Sequence, residues 1–423
     1  MLVPLQEAAR ETCGGKATAL GALLQAGLPV PDGFVVPFDA AAADDEALRD
    51  ALGPALRALG SPPVAVRSSA SGEDTSQASA AGQHESVLAV QAPDDVARAV
   101  RTCRASLHSP RAVDYRAGLE DEVRGDAADE PAMAVLVQRL VDAEVSGVMF
   151  APDDPGDATV IEASWGLGPS VVGGTVTPDT YRVVAHKILG RGAVRVADRV
   201  IADKRTRLDR DGTRLVAHDV RPDDRRRPTL DDDTALRLAR LGWRAAALLG
   251  GPQDVEWALA GGTLWIVQAR PVTAPLPAPH PAPSTDVTGS APRLSTGSLL
   301  RGTAGSTGMA TGPARVVRGP DDFSRVRPGD VLVCPFTDPA WTPLLRITAG
   351  VVTETGGVLS HAAIVARERR IPAVLGVVGA TGLIVDGSVV TVDGEAGTVT
   401  LAEPTVSVPP RGDDGPSTPE ESR

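Results

Sequence analysis

The residue best suited to group-transfer chemistry is His361, in the segment TETGGVLSHAAIVARERRIPAV at 353–374. A short strand is predicted to lead into a turn at Gly356 and Gly357, which permit close backbone approach or positive φ. A helix is predicted to follow and to begin near Ser360. Ser360 is the expected N-cap, with its hydroxyl accepting from a first-turn amide. The helix dipole disfavours an imidazolium there, so His361 is predicted to be a neutral nucleophile whose phosphorylated form the helix amides stabilise. The alternative is a histidine that only caps and packs.

Two N-terminal segments contain residue types that bind phosphate. Gly14, Gly15 and Lys16 stand at a predicted helix start, where amides and an ammonium can hold phosphate oxygens, although the spacing is not that of a Walker A loop. Only three of the 42 basic residues are lysine, which favours a specific use for Lys16. Arg67 leaves a strand into a run rich in Ser and Gly, which can fold over a polyphosphate as a lid. A surface turn and a plain loop are the respective alternatives.

A predicted hairpin carries a third set of polar residues. DVEWAL and LWIVQAR flank a Gly-Gly turn, and counting inward from it indicates that Glu256 and Gln268 can lie close across the strand pair. A carboxylate and an amide oxygen suit Mg²⁺ shared with phosphates, and Arg270 can reach the same phosphates. The alternative is a cross-strand polar pair on a solvated face. Glu162 is a further candidate carboxylate, and Gln138 is a candidate to face a nucleotide.

The candidate residues before 273 are positioned by predicted helices and strands in a large N-terminal part, residues 1–273. Hydrophobic periodicity and turn signals predict an α+β domain with antiparallel strand pairing. The predicted helices cover 15–26, 94–118 and 233–249, and the predicted strands cover 33–36, 63–69, 134–140, 145–150, 159–164, 254–259 and 264–270.

The part that carries His361 is smaller, residues 297–403. Six short Val-rich strands with Gly turns, a helix after Ser360 and another at 340–348 predict a compact β/α domain. Residues 274–296 alternate Pro with small residues and predict a semi-rigid linker. The acidic, Pro-rich segment 404–423 predicts a disordered tail.

Composition excludes several classes of function. The net charge of −12 and an aromatic content of 3% argue against a nucleic-acid partner. The three cysteines, Cys13, Cys103 and Cys334, match no metal motif or disulfide framework, which indicates a reducing, cytoplasmic location. No apolar run is long enough for a membrane span, and the N-terminus does not resemble a signal peptide.

Together the segments closely resemble the family of phosphoenolpyruvate synthase, pyruvate phosphate dikinase and rifampin phosphotransferase. GGKATALGALLQAGLPVPDGFVV, AVRSSASGEDTSQASAAGQHESVL and DVEWAL…LWIVQARPVT are similar to its ATP-grasp part. GDVLVCPFTDPAWTPLL and TETGGVLSHAAIVARERRIPAVLGV are similar to its swivelling phosphohistidine domain, and DPAWTP is most like the rifampin phosphotransferase branch. The resemblance covers about 10–273 and 300–401, and implies an ATP-grasp domain followed by a β/α phosphohistidine domain.

The resemblance also implies roles for individual residues, all in phosphoryl transfer from ATP. Lys16 and Arg67 would contact the phosphates of ATP, and Gly82 and Ser86 would lie in the lid. Gln138 would lie at the adenine end, and Glu256 and Gln268 would hold Mg²⁺ with Arg270 alongside. His361 would be the phosphocarrier. In this family the histidine attacks the β-phosphate, so AMP is a product, and the γ-phosphoryl goes separately to water or phosphate.

The acceptor is the point where the sequence departs from the family. No segment after residue 403 has the pattern of a pyruvate-binding barrel, and the space between the two domains holds only the linker. The first hypothesis is a small-molecule hydroxyl acceptor, and the absence of these regions argues against pyruvate and rifampin. Its site lies either in a cleft between the two domains or on another protein. Two alternatives remain: a phosphocarrier subunit whose partner protein supplies the acceptor site, and a catalytically inactive scaffold.

Overall fold

The computed structural model describes residues 1–42, 45–71, 85–109, 112–113, 132–188, 191–277 and 298–401. Most of the predicted linker, all of the predicted tail and residue Gly82 lie outside these ranges. The elements before residue 277 are called the N-terminal block here, and those from residue 298 to 401 the C-terminal block.

A five-stranded antiparallel sheet opens the N-terminal block, in the order β1-β2-β5-β3-β4. Two helices cover one face with an apolar core, and the first helix packs on the other face. The strands are β1 (Val3–Pro4), β2 (Gly33–Val36), β3 (Val64–Ala70), β4 (Ser86–Val90) and β5 (Met133–Arg139), and the helices are α1 (Arg10–Gln25), α2 (Asp45–Ala58) and α3 (Pro93–Ala105).

A six-stranded antiparallel sheet completes this block, in the order β13-β12-β6-β7-β8-β9, with a separate hairpin β10-β11. Its inner face packs against helix α6 and α1 in a continuous core. The elements are β6 (Val145–Ala151), β7 (Thr159–Trp165), α4 (Pro169–Val172), β8 (Asp179–Ile188), β9 (Arg191–Val200), β10 (Thr206–Asp211), β11 (Arg214–Asp219), α5 (Pro222–Arg225), α6 (Asp232–Leu249), β12 (Gln253–Ala260) and β13 (Thr263–Pro271).

The C-terminal block is one eight-stranded sheet, ordered β14-β21-β20-β16-β17-β18-β19-β15. Pairing is parallel from β16 to β19 and antiparallel elsewhere, so the sheet is mixed. The elements are β14 (Leu299–Arg301), β15 (Thr303–Ser306), β16 (Met309–Val316), β17 (Val331–Cys334), α7 (Thr342–Leu345), β18 (Gly350–Thr353), α8 (His361–Arg369), β19 (Ala373–Leu375), α9 (Ala380–Leu383), β20 (Val389–Asp393) and β21 (Thr398–Leu401). Short 3₁₀ helices occur at Leu5–Glu7, Asp39–Ala42, Ser106–His108, Pro320–Arg325 and Pro339–Trp341.

The predicted hairpin is confirmed, and a register shift between Glu256 and Trp257 determines which residues lie opposite each other beyond it. β12 and β13 meet at Gly261 and Gly262, which have φ of 54° and 73°, the pair of positive values that a type I′ turn requires. Glu256 lies directly opposite Gln268. All six predicted strands of the C-terminal block are present, as β16 to β21, and β14 and β15 are additional.

Two predicted helices are shorter than expected. The segment 340–348 contains a 3₁₀ turn at Pro339–Trp341 and the four-residue α7, because Pro343 and the following turn leave no room for a longer run. The helix predicted over 94–118 is α3 followed by the 3₁₀ turn Ser106–His108, and residues 114–118 lie outside the described ranges. Among the described helices, none is long and apolar enough to cross a membrane.

Candidate functional site

His361 is buried at the first position of α8, with 5% of its surface exposed. The hydroxyl of Thr337 lies 3.0 Å from its Nδ1, and the hydroxyl of Thr342 lies 3.4 Å from its Nε2. A neutral imidazole has one donor and one acceptor nitrogen, and a threonine hydroxyl can serve either. Both neighbours are therefore compatible with a neutral ring held in a fixed orientation.

The loop before α8 differs from the expected cap in one respect. Ser360 occupies the N-cap position, but its hydroxyl donates to the carbonyl of Gly357 at 2.8 Å and makes no bond to a first-turn amide. The predicted capping bond is therefore wrong, because the Gly357 carbonyl turns toward Ser360 and takes the hydroxyl proton. The role predicted for the glycine pair is confirmed: Gly356 has φ of 107°, and Gly357 lies too close to a neighbouring carboxylate to carry a side chain.

That carboxylate belongs to Glu162 of β7, in the N-terminal block. It accepts hydrogen bonds from the backbone amides of Val358 at 2.6 Å and Leu359 at 3.1 Å. Glu162 is 1% exposed, and burial raises its pKa to about 7 although the two amides act in the opposite direction. These two bonds are called the docking contact below.

Further contacts join the two blocks around the docking contact. The Thr355 hydroxyl donates to the Gly174 carbonyl at 2.6 Å, and the Thr273 hydroxyl donates to Glu368 at 3.0 Å. Leu359 also packs in an apolar cluster with N-terminal residues Val148, Val171 and Val176. The loop that precedes His361 is thus seated on the six-stranded sheet by polar and apolar contacts.

The same sheet face carries the predicted phosphate and metal residues. Glu162 lies opposite Val148, Val148 opposite Glu256, and Glu256 opposite Gln268, so the four form one row across β7, β6, β12 and β13. Residues directly opposite in antiparallel strands share a face. Glu162 and Glu256 are therefore two strand spacings apart, about 10 Å.

Arg67 reaches this row from β3 of the other sheet. Its Nη1 lies 3.1 Å from Gln268 Oε1, 3.3 Å from the carbonyl of Val267 and 3.4 Å from Glu256 Oε2. Its Nε is buried without a hydrogen-bond partner in the described part of the chain. The structure thus brings together Arg67, Glu256 and Gln268, and the oxygens of the hairpin pair face a positive charge.

Lys16 lies beside the strand that carries Arg67, so two segments distant in sequence meet. Its buried Nζ donates to the Ser68 carbonyl at 3.1 Å. The helix bends at Gly14, where φ is 76°, and the Ser69 hydroxyl accepts from the Ala17 amide at 3.1 Å. A side chain of β3 therefore caps the helical segment that carries Lys16.

The remaining predicted residues do not all join this cluster. Ser86 is exposed on β4 opposite Arg67, and Gly82 lies outside the described residues. Arg270 pairs with Asp254 at 3.5 Å, one row along the same sheet face. Gln138 is buried, and its amide donates to the Pro31 carbonyl at 3.2 Å, a contact within the five-stranded sheet region.

Comparison with known proteins identifies the family to which the chain belongs. Residues 42–285 match the family model described as pyruvate phosphate dikinase, AMP/ATP-binding domain. The chain belongs to the pyruvate phosphate dikinase family. Residues 326–397 match the model described as PEP-utilising enzyme, mobile domain, so the ATP-grasp nucleotide-binding domain is followed by a mixed β/α phosphohistidine domain, as predicted.

Several relatives are full proteins of this family. The chain is 35% identical over 91% of its length to a protein of Archaeoglobus fulgidus described as "Probable phosphoenolpyruvate synthase", and covers 56% of it. It is 33% identical over 91% of its length to the phosphoenolpyruvate synthase of Aeropyrum pernix, of which it covers 56%. It is 37% identical over 79% of its length to that of Pyrococcus furiosus, of which it covers 40%. The chain therefore spans about half the length of these relatives.

The hairpin residues of this dikinase-family chain fit the Mg²⁺ that the family implies. Within the described ranges, no group of three or more His, Cys, Asp or Glu side chains could hold a metal by themselves. Mg²⁺ typically takes one or two protein oxygens and completes its shell with water and substrate phosphates. Glu256 and Gln268 supply such a pair, already arranged around the guanidinium of Arg67.

Four residues that contribute to this dikinase-family site were not identified from the sequence. Asp254 precedes Glu256 by two positions, and the two-residue period of a strand would have placed both on one face. Thr337 and Thr342 lie 24 and 19 positions before His361, with no local pattern that links them to it. Arg367 lies on α8, where its Nη1 donates to the Val358 carbonyl at 2.7 Å.

Proposed function

We propose that this chain is an ATP-dependent phosphotransferase of the dikinase type, with His361 as phosphocarrier. A ring nitrogen attacks the β-phosphorus of ATP, the bond to the α,β-bridging oxygen breaks, and AMP leaves. The γ-phosphoryl group then passes to water or phosphate, and His361 retains one phosphoryl group. That group is transferred to a hydroxyl of a small-molecule acceptor, whose proton is released, and the neutral imidazole is restored.

The observation that carries this proposal is the shared sheet face. The loop before His361 is hydrogen-bonded to Glu162, which lies in the same row as Glu256 and Gln268, about 10 Å from Glu256. A nucleotide polyphosphate spans such a distance, so one end of it can be held by the hairpin and the other presented to the C-terminal block.

The N-terminal residues would bind and neutralise the phosphates. Lys16 and Arg67 supply positive charge, and Arg67 has an Nε without a partner in the described residues. Mg²⁺ bound by Glu256 and Gln268 would neutralise further phosphate charge. Positioning and charge neutralisation are the main catalytic contributions that phosphoryl transfer needs.

The test uses the purified chain with ATP labelled at the β-phosphate and Mg²⁺. We expect an acid-labile label on the protein and release of AMP, and neither with H361A. ADP as the nucleotide product, or label that survives in H361A, would contradict the proposal. The acceptor is then sought among small hydroxyl compounds, with pyruvate included because it is the substrate that the names of the relatives suggest.

A second candidate is a phosphocarrier subunit that needs a partner protein for acceptor binding. It is favoured by the segment between the blocks, residues 278–297, which is too short to be a further domain. This candidate predicts phosphorylation of His361 by ATP but no turnover with any small acceptor until a partner is added. Sustained AMP release with a small acceptor alone would exclude it.

A further inference from the structure

The loop before His361 is held by an acid from one block and a base from the other. The Val358 amide donates to Glu162 of β7, and the Val358 carbonyl accepts from Arg367 of α8. Leu359 adds a second amide to the Glu162 carboxylate. The orientation of the Val358 peptide units is therefore set by two side chains, one from each block.

Glu162 approaches the loop so closely that position 357 must be a glycine. A Cβ built on Gly357 would lie 2.1 Å from Glu162 Oε1, a distance that no real side chain tolerates. Only a glycine allows the carboxylate to reach the two amides beyond it. Ser360 then connects this fixed loop to the first turn of α8 through the bond from the Ile364 amide to the Ser360 carbonyl at 3.0 Å.

The contact exists only while the blocks are together. A buried carboxylate is costly unless it is paired or hydrogen-bonded, and the amides of Val358 and Leu359 supply those bonds in the docked arrangement. When the blocks separate, water replaces the amides on Glu162. The docking contact can therefore form and break as the C-terminal block arrives at and leaves the nucleotide.

We propose that Glu162 is a positioning residue for phosphoryl transfer to His361: it fixes the loop 357–360, and with it the helix start that carries the imidazole, against the sheet face that carries the Glu256–Gln268 pair. This inference rests on the proposed function for its kinetic consequence. Glu162 acts through the backbone of Val358 and Leu359.

The variant that tests it is E162Q, which keeps the shape but replaces one acceptor oxygen with an NH₂ group that cannot accept from a backbone amide. We expect a loss of about 10- to 100-fold in the single-turnover rate of His361 phosphorylation by ATP. ATP affinity should stay within about twofold, because Glu162 lies about 10 Å from Glu256. Chemical phosphorylation of His361 by phosphoramidate should be unchanged, since that small donor does not require docking.

A matched control is E144Q. Glu144 also accepts a backbone amide, that of Gly261 at 2.9 Å, but at the exposed end of the hairpin and away from the C-terminal block. It should transfer at the wild-type rate. A wild-type rate in E162Q would overturn the inference. So would an equal loss of ATP affinity and of phosphoramidate labelling, since that pattern indicates a merely structural role.

A second measurement does not depend on activity. Hydrogen exchange of the peptide that covers 356–360 should be faster in E162Q than in the wild type and unchanged in E144Q. Unchanged exchange in E162Q would overturn the inference even if the wild-type chain proved inactive. Failure of the wild-type chain to release AMP would overturn the proposed function alone, so the two outcomes are distinguishable.

Discussion

At the scale of single residues, the ring nitrogens of His361 each lie near a threonine hydroxyl. Thr337 and Thr342 bracket the ring from two sides, and both are buried. A hydroxyl can reverse its donor and acceptor roles by rotation, whereas a carboxylate can only accept. The ring can therefore change protonation as it gains and loses a phosphoryl group without leaving a buried charge opposite it.

We predict that T337V slows phosphorylation of His361 by about 10-fold or more, because it leaves Nδ1 without the nearer hydroxyl at nearly constant shape. The measurement is single-turnover labelling by ATP, with circular dichroism to verify folding. T342V is the comparison, and its effect should be smaller because its hydroxyl lies 3.4 Å from the ring instead of 3.0 Å. A larger effect of T342V would show that the other nitrogen is the one that is oriented.

Lys204 has a structural role that accounts for a lysine, and not an arginine, at this position of an arginine-rich chain. It is fully buried with Asp179, its Nζ 2.6 Å from the carboxylate, and it also donates to the Ala202 carbonyl. A compact ammonium fits a site of this size, whereas a planar guanidinium does not. Scarcity of lysine therefore indicated a specific role, but for Lys204 that role is in folding.

We predict that K204M lowers the free energy of unfolding by about 3–5 kcal/mol, because it leaves Asp179 buried without its counter-ion. Urea unfolding measures this directly. The double variant K204M/D179N should recover part of the loss, since no uncompensated charge then remains. A single-variant loss below about 1 kcal/mol would mean that water reaches the site.

At the scale of elements, the sequence predicted the strands and turns that local alternation and turn residues encode. It did not predict the contacts between residues that are far apart in the sequence. The β12–β13 hairpin followed from the Gly-Gly turn, but the register shift between Glu256 and Trp257 that puts Glu256 opposite Gln268 did not. The hairpin of β10 and β11 was missed because TRLDRD and RLVAHD are half-exposed and mostly polar, so they lack an apolar alternation. The docking contact could not be predicted, because Glu162 meets backbone atoms 196 residues away.

Gly14 offers a test of how α1 places Lys16. We predict that G14A lowers the free energy of unfolding by about 2–4 kcal/mol and weakens ATP binding, because it adds a Cβ at positive φ against a neighbouring backbone. That Cβ would lie 2.4 Å from the Ser69 carbonyl oxygen. Thermal unfolding and nucleotide titration are the measurements.

The control for this prediction is G27A, at the other end of α1. Gly27 also has positive φ, 72°, but apart from its two chain neighbours no atom of the described residues lies within 4 Å of the Cβ it would gain. It should cost about 1–2 kcal/mol from the backbone alone and leave ATP affinity unchanged. Equal effects of the two variants would show that conformational strain, and not the close approach to β3, decides the behaviour of G14A.

At the scale of the whole molecule, the buried Glu162 carboxyl is expected to make docking of the two blocks depend on pH. Burial raises its pKa from 4.5 to about 7, while Asp254 and Arg367 act on it in opposite directions. A group whose pKa is higher in the docked state binds its proton more tightly there. The contribution to docking is thus fully present below pH 4.5 and is lost as the pH rises toward 7.

We predict that the blocks separate more readily at pH 7.5 than at pH 5.5, as measured by energy transfer between labels on the two blocks. E162Q is the reference, because it retains every other titrating group, including His361. The pH dependence should be weaker in E162Q than in the wild type. Identical profiles for the two proteins would assign the pH dependence to other groups.

The docking contact recognises peptide groups and not side chains. Glu162 binds the amides of Val358 and Leu359, and Thr355 donates to the carbonyl of Gly174. These bonds require a glycine at 357 and a backbone path of the right shape, whereas the surrounding apolar contacts depend on the side chain of Leu359. A carrier loop of different sequence at position 358 can therefore make the same two bonds, provided that it keeps the glycine that Glu162 approaches.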